Sequence, residues 1–181
     1  MSPSGLSPVW RNRSIGLVLA LVIYVADQWL KSYVVDTLGM QLHETRELLP
    51  FFDFTLVHNY GISLGMFQAT SMEMRWMLVA VTGGIALVVT VWMLRERLLG
   101  EILGLSLILG GALGNIKDRY ELGYVVDFAD LHIGDFRPFM IFNIADAAIT
   151  IGVVIILVRS FLVREKPATP SNEPAANAVE S

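Results

Sequence analysis

Four long apolar stretches constrain the fold of this chain more than any other feature. They cover about residues 15–35, 76–94, 98–116 and 141–163, and each holds about twenty residues. An α-helix rises ~1.5 Å per residue, so each stretch is long enough to cross the ~30 Å hydrocarbon core of a bilayer. The sequence therefore predicts an all-α, polytopic membrane protein with four transmembrane helices.

The composition agrees with a membrane protein and excludes several kinds of functional site. Of 181 residues, 54% are hydrophobic and only 17% are charged, which is too apolar for a soluble domain of this size. The net charge of -4 gives no indication of nucleic-acid binding. There is no cysteine, which excludes disulfides, thiolate nucleophiles and cysteine-based zinc sites.

The domain organisation follows from these stretches. We predict a cytoplasmic N-terminus at residues 1–14, a single membrane domain at 15–163, and a disordered cytoplasmic tail at 164–181. The tail is rich in Pro, Ala, Ser and Glu, a composition that does not form a packed core. The segments 36–75 and 117–140 then lie together on the other side of the membrane.

The distribution of Lys and Arg predicts the orientation. Four spans place both termini on one side, where seven basic residues lie, against five on the opposite side. The first group comprises Arg11, Arg13, Arg95, Arg97, Arg159, Arg164 and Lys166, and the second comprises Arg46, Arg75, Lys117, Arg119 and Arg137. Basic residues favour the cytoplasmic side, so we expect both termini in the cytoplasm and the two long segments outside.

The two outer segments contain strand-like patterns. From Phe52 to His58 the side chains alternate between two faces, and residues 123–131 are similar. A small outer sheet is therefore expected beside the membrane helices.

Polar side chains cluster where the third and fourth spans meet the outer segments. Asn115 and Asp118 are three residues apart at the end of the third span, and Asn143 and Asp146 are three apart at the start of the fourth. That spacing places each pair on one helical face, and the connection between the spans carries Asp127. Two neighbouring carboxyl groups at a water–membrane boundary suit acid–base hydrolysis. The alternative is a network that only caps the helix ends.

The first span carries a second polar pair. Asp27 and Lys31 are four residues apart and share one helical face. The two charges either neutralise each other near the outer end of the span or belong to a functional site.

Other kinds of site have weaker support. Residues Gly61 to Gly65 spell G-x-S-x-G around Ser63, but no alternating strand–helix pattern surrounds them, as a nucleophile elbow requires. No H-E-x-x-H zinc motif is present. A small carrier or proton pathway remains the main alternative, although it predicts carboxylates deep within several spans rather than at one face.

Three motifs in order resemble one family. They read GGALGN-x-x-DR from Gly110, G-x-V-x-DF from Gly123 and FN-x-AD-x-x-I from Phe142. Together with ADQWLK around Asp27 and Asn59-Tyr-Gly61, they resemble the lipoprotein signal peptidases (signal peptidase II), which are bacterial intramembrane aspartic proteases. The resemblance covers about residues 15–160. It implies a four-span protein with a small outer β-cradle and a short amphipathic outer helix.

The resemblance also implies roles for individual residues. Asp127 and Asp146 correspond to the catalytic pair. The supporting and substrate-binding positions are Asn115, Asp118, Arg119, Asn143, Asp27, Lys31, Asn59 and Gly61. Leu64 departs from the aromatic residue that the family often has there.

The same resemblance implies the reaction and the partners. The family cleaves diacylglyceryl-modified prolipoproteins just before the lipidated cysteine, and it uses neither metal nor cofactor. We therefore expect lipid-modified prolipoproteins and membrane lipids as partners, and no nucleic acid. The expected location is the bacterial inner membrane, with the active site toward the periplasmic face. A monomer is compatible with the sequence.

Overall fold

The computed structural model describes residues 7–61 and 71–162 and contains four helices long and apolar enough to cross a membrane. The helices are α1 (Pro8–Ser32), α2 (Met72–Arg95), α3 (Leu99–Glu121) and α4 (Ile144–Leu162), and a π-helical turn (Tyr33–Thr37) continues α1. The prediction of four spans with a small outer sheet is confirmed. The residues Ser63 and Leu64 and the tail from residue 164 lie outside the described residues.

Helix α3 lies at the centre of the bundle because its glycines let the neighbouring helices approach closely. A Cβ atom added at Gly110 would lie 2.5 Å from the carbonyl oxygen of Ala20 on α1. One added at Gly111 would clash with the carbonyl oxygen of Ala145 on α4. Small residues are the usual device for close helix packing in membranes, where burial of apolar surface gives little advantage over lipid.

The outward faces of the helices are apolar. Large side chains there are more than half exposed, such as Val18 at 60%, Leu87 at 65% and Phe161 at 79%. A soluble protein would rarely expose so large a continuous apolar surface, whereas a lipid environment solvates it.

The outer segments form a three-stranded antiparallel sheet in the order β1 (Thr45–Leu49), β2 (Phe52–Asn59) and β3 (Val125–Leu131). The two strands predicted from alternation correspond to β2 and β3, while β1 was not predicted. The register places Val57 of β2 opposite Asp127 of β3. Phe142 closes the far edge of β3 through backbone hydrogen bonds with Ala129, which brings the start of α4 beside this strand.

Some boundaries differ from the sequence-based ones. Helix α1 begins at Pro8 because Ser7 caps it, so the polar residues before the first apolar stretch are already helical. Helix α3 continues to Glu121, so the polar residues predicted to end the span lie within the last turns of this helix. The amphipathic outer helix implied by the resemblance is not found in residues 38–61 or 122–143, and residues 62–70 are not described.

Candidate active site

Asp127 and Asp146 line the same cavity, although nineteen residues separate them in the sequence. Asp127 lies in the middle of β3 and is only 2% exposed, and Asp146 lies in the first turn of α4. The cavity has a volume of about 1000 Å³ and opens between the sheet and α4. Asn59 and Gly61 also line it, as do the apolar side chains of Phe139, Met140 and Ile151.

Asn143 connects the two aspartates. Its Oδ1 accepts a hydrogen bond from the backbone N–H of Asp146 at 2.9 Å, so Asn143 caps the N-terminus of α4. Its Nδ2 donates to Oδ1 of Asp127 at 2.6 Å. One buried side chain thus both caps the helix that carries Asp146 and binds the carboxylate of Asp127, so Asn143 links the two aspartates directly.

The carboxylate of each aspartate also accepts a hydrogen bond from another asparagine. Nδ2 of Asn59 donates to Oδ2 of Asp127 at 3.0 Å. Nδ2 of Asn115 donates to Oδ1 of Asp146 at 2.8 Å. Amide donors orient a carboxylate without adding a charge, so the pair retains its capacity to exchange a proton.

Lys31 lies behind the aspartate pair in a buried ion network. Its Nζ lies 2.7 Å from Oδ2 of Asp27 and 2.9 Å from Oδ2 of Asp118, and it donates to Oδ1 of Asn115 at 3.2 Å. The side chain of Lys31 is 5% exposed. The charges of Asp27 and Lys31 neutralise each other, and Lys31 also contacts Asn115, the residue that donates a hydrogen bond to Asp146.

Asp27 and Asp118 hold the ends of neighbouring elements in place. Oδ1 of Asp27 accepts from the backbone N–H of Ala145 at 3.0 Å, in the first turn of α4. Oδ2 of Asp118 accepts from the backbone N–H of Val126 at 3.1 Å, one residue before Asp127. Asp27 is fully buried and is not among the residues that line the cavity, so its contacts support the start of α4.

Arg119 connects α3 to the segment before residue 62. Its Nη2 donates to the carbonyl oxygen of Gly61 at 2.6 Å. The N–H of Gly61 in turn donates to Oδ1 of Asn59 at 3.0 Å, which orients the amide that binds Asp127. Gly61 takes part in this arrangement through its backbone N–H and carbonyl groups.

The electrostatics of the site favour a retained proton. Within the described part of the chain, the network holds four carboxyl groups and two cations. The acids are Asp27, Asp118, Asp127 and Asp146, and the cations are Lys31 and Arg119. Burial raises the pKa of Asp127 to about 7, and the charge of Asp146 acts in the same direction. The aspartate pair is therefore expected to hold one proton near neutral pH.

Sequence reasoning missed Gln28 and Arg137. Nε2 of Gln28 donates to Oδ2 of Asp27 at 3.1 Å and to Oδ1 of Asp118 at 2.9 Å, so it bridges the two buried carboxylates. Its position next to Asp27 was a possible signal, but an uncharged polar residue in a span is weaker evidence for a site than a charged one. Arg137 lines the cavity and was counted only as an outer basic residue.

Comparison with known proteins identifies similar sequences over nearly the whole chain. Residues 19–162 match the sequence profile of a family described as "Signal peptidase (SPase) II". A "Lipoprotein signal peptidase" from Sphingopyxis alaskensis is 50% identical over 174 residues, which cover 96% of this chain and 99% of that protein. A protein of the same name from Rhizorhabdus wittichii is 46% identical over 88% of this chain and 92% of its own length.

Solved structures agree with the observed fold. One described as "Bacterial membrane enzyme structure by the in meso method at 2.3 A resolution" superposes with a TM-score of 0.73 at 29% identity. The match covers 86% of this chain and 95% of the solved one. A second, determined by the same method at 1.9 Å, gives a TM-score of 0.71, also at 29% identity, over 84% of this chain and 95% of that one.

Proposed function

This chain belongs to the signal peptidase II family, and from that premise we propose that Asp127 and Asp146 together catalyse its hydrolytic reaction. Family membership makes the chain a protease that removes signal peptides from lipoproteins. It is a multi-pass protein of the bacterial inner membrane. The proposal adds the residues, the chemistry and the orientation in the membrane.

One observation carries the proposal. The buried carboxyl group of Asp127 and the partly buried one of Asp146 come from separate elements and face a single cavity, and amide side chains hold each of them. Burial and mutual repulsion keep one proton on such a pair, so that one carboxyl can donate a proton while the other accepts one. The other two acids of the site, Asp27 and Asp118, bind Lys31 and backbone N–H groups and are not available for this chemistry.

The reaction then proceeds through a tetrahedral intermediate. The protonated carboxyl donates a hydrogen bond to the carbonyl oxygen of the scissile peptide, while the carboxylate takes a proton from a water molecule that attacks the carbonyl carbon. The intermediate collapses when the C–N bond breaks and the leaving nitrogen receives a proton. The products are a free carboxyl on the signal peptide and a free amine on the mature chain, and the pair again holds one proton.

The walls of the cavity suit a lipid-modified substrate. Phe139 and Met140 line the outer side at 63% and 56% exposure, and Ile151 lines the side formed by α4. Such a surface can accommodate acyl chains beside the aspartate pair. We propose that the enzyme cleaves just before a diacylglyceryl-modified cysteine and that the lipid holds the scissile peptide at the depth of the pair.

A comparison of two precursor peptides tests this proposal. The peptides have the same sequence, but only one carries the diacylglyceryl group on its cysteine. The purified enzyme in detergent is expected to cleave the lipidated peptide before the cysteine and to leave the other nearly intact, with cleavage followed by mass spectrometry. Equal cleavage of both peptides would contradict the role assigned to the lipid, and cleavage of neither would contradict the proposed specificity and mechanism.

The orientation is a separate prediction. We expect the loop between α2 and α3 in the cytoplasm and the connection between β3 and α4 in the periplasm, because the Lys and Arg distribution favours cytoplasmic termini. Arg97 and Asp135 are exposed positions in these two segments, and the chain has no native cysteine. An Asp135→Cys variant should react with a membrane-impermeant maleimide in spheroplasts. An Arg97→Cys variant should react only after permeabilisation, and the reverse pattern would contradict the orientation.

A further inference from the structure

Arg137 lines one end of the cavity and is held there by a buried anchor. Its Nε lies 3.1 Å from both carboxylate oxygens of Asp130, which is only 2% exposed. Oδ2 of Asp130 also accepts a hydrogen bond from Oγ1 of Thr55 at 3.3 Å. Because the anchor belongs to β3 and contacts β2, the sheet fixes the base of the guanidinium group.

The anchor leaves part of the guanidinium available to a ligand. Within residues 7–61 and 71–162, the Nη atoms of Arg137 donate no hydrogen bond, and the side chain is 51% exposed. A guanidinium with two free Nη groups matches the geometry of a carboxylate, which can accept two parallel hydrogen bonds. The preferred ligand is therefore an anionic group that enters the cavity from the outer side.

The position of Arg137 in the cavity indicates which part of the substrate lies beside it. The cavity extends past Asp146 to Thr150 and Ile151, about one helical turn further along α4 into the membrane span, where an apolar signal segment fits. Asp130 follows Asp127 by three residues, or ~10 Å along β3. Its side chain points to the opposite face of the strand because side chains alternate, but Arg137, which it anchors, itself lines the cavity. An extended peptide covers the same distance in about three residues. If the signal segment occupies the α4 end, the mature chain passes Arg137 about three residues beyond the cleaved bond.

The charges around Arg137 determine the expected strength of this contact. Among the described residues that line the cavity, Arg137 is the one cation at neutral pH, because burial lowers the pKa of His58. Asp130 offsets part of the charge of Arg137. Asp53 lies opposite Asp130 in the sheet, and Oδ2 of Asp53 is 3.1 Å from Nε2 of His132. With two carboxylates nearby and a partly exposed guanidinium, the preference for an anion is a few-fold rather than large.

We propose that Arg137 is a specificity-determining residue, which favours precursors that carry a carboxylate side chain about three residues beyond the cleaved bond. The inference rests on the proposed function of the aspartate pair, because that function places the cleaved bond beside Asp127 and Asp146. Arg137 contacts the substrate away from the reacting atoms, so it acts on binding and not on the chemical step.

Matched lipidated peptides test the inference. They differ only in having Asp, Asn or Lys as the third residue beyond the cleaved bond, and kcat/KM is measured in detergent without phospholipid. The wild-type enzyme should favour Asp over Asn by about threefold to fivefold, mainly through KM. The Arg137→Gln variant should show a ratio near one, and the Arg137→Glu variant should favour Lys. All three peptides are cleaved by the same enzyme preparation, so each ratio of kcat/KM values is independent of the folded fraction.

Arg46 provides a matched control. It is also an outer arginine paired with a carboxylate, at 2.8 Å from Glu44, and its side chain is 41% exposed, but it does not line the cavity. Arg46→Gln should keep the wild-type preference for Asp. An unchanged Asp/Asn ratio in Arg137→Gln would overturn the inference, as would an effect of this variant that arises only when an anionic phospholipid is added. If wild type cleaves none of the lipidated peptides, the proposed function fails first and the inference falls with it.

Discussion

Replacing either member of the aspartate pair is expected to abolish turnover. Asp127→Asn and Asp146→Asn should each lower single-turnover cleavage of a lipidated precursor by roughly a thousandfold or more, because a positioned acid or base contributes on that order. Asparagine retains the size of aspartate but cannot exchange the proton. Both variants should insert into the membrane and fold as the wild type does.

The double variant distinguishes a cooperating pair from two independent contributions. If the two carboxyl groups act as a unit, Asp127→Asn/Asp146→Asn should be no slower than either single variant. Asp118→Asn is the internal comparison, since Asp118 is also buried but bonds Lys31 and the backbone of Val126. It should reduce stability more than the rate of the chemical step. Substantial cleavage by either single variant of the pair would contradict the aspartic-protease mechanism and show that other residues carry out the hydrolysis.

The second large effect is expected on stability. Lys31→Met removes the cation that lies between the buried carboxylates of Asp27 and Asp118. Removing one partner from a buried ion network leaves uncompensated charge and costs about 3–5 kcal/mol. For a chain of this size, that free energy corresponds to a decrease in Tm of roughly 10 °C. Unfolding in detergent can be followed by tryptophan fluorescence, together with the amount of protein recovered from the membrane.

Two further variants show whether a loss of stability in Lys31→Met comes from the buried charges. Lys117→Met is the control. Lys117 lies in α3 and pairs with Glu121 at 2.7 Å, but its side chain is 36% exposed, so its loss should lower the free energy of unfolding by about 0–1 kcal/mol. Combining Lys31→Met with Asp27→Asn and Asp118→Asn removes the unpaired charges and should recover part of the loss. A Lys31→Met protein as stable as wild type would show that the network does not hold the bundle together.

The spans and two of the strands could be predicted because their signals are local. Each apolar stretch is long enough to cross a bilayer, and the alternation from Phe52 to His58 corresponds to β2. β1 has no comparable signal, since its sequence TRELL is mostly exposed and is defined by pairing with β2. Helix α3 continues to Glu121, beyond the apolar stretch that ends near residue 116, because hydropathy identifies the apolar part of a helix and not its charged last turn.

The aspartate pair could be predicted in part. The spacing of Asn143 and Asp146 indicates a shared helical face, and a helix cap is visible in the sequence. The contact of Asn143 with Asp127 could not be predicted from the spacing, because it depends on the pairing of Phe142 with β3. That three-dimensional arrangement makes Asn143 the link between the two carboxyl groups.

The roles of the other polar residues could not be predicted because they depend on contacts between residues distant in the sequence or in a connecting segment. Asp27 bonds the backbone of Ala145, 118 positions away, and Arg137 depends on Asp130 for its orientation. Neither contact has a periodic signal in the sequence. Polar residues near membrane spans can therefore be selected as candidates from the sequence, but whether they line the cavity or support it follows only from the fold.

The pH dependence of kcat/KM on a lipidated precursor tests the central claim most directly, because it reports the protonation of the free enzyme. The pair must hold one proton, and the pKa of Asp127 is raised to about 7. As the pH rises through about 7 the pair loses this proton, and kcat/KM should decrease with a limiting slope of about tenfold per pH unit. At acidic pH both carboxyls are protonated, so it should fall again and give a bell-shaped profile. A kcat/KM that stays constant or rises from pH 6 to 9 in the wild type, or the same bell in Asp127→Asn, would contradict a one-proton aspartate pair.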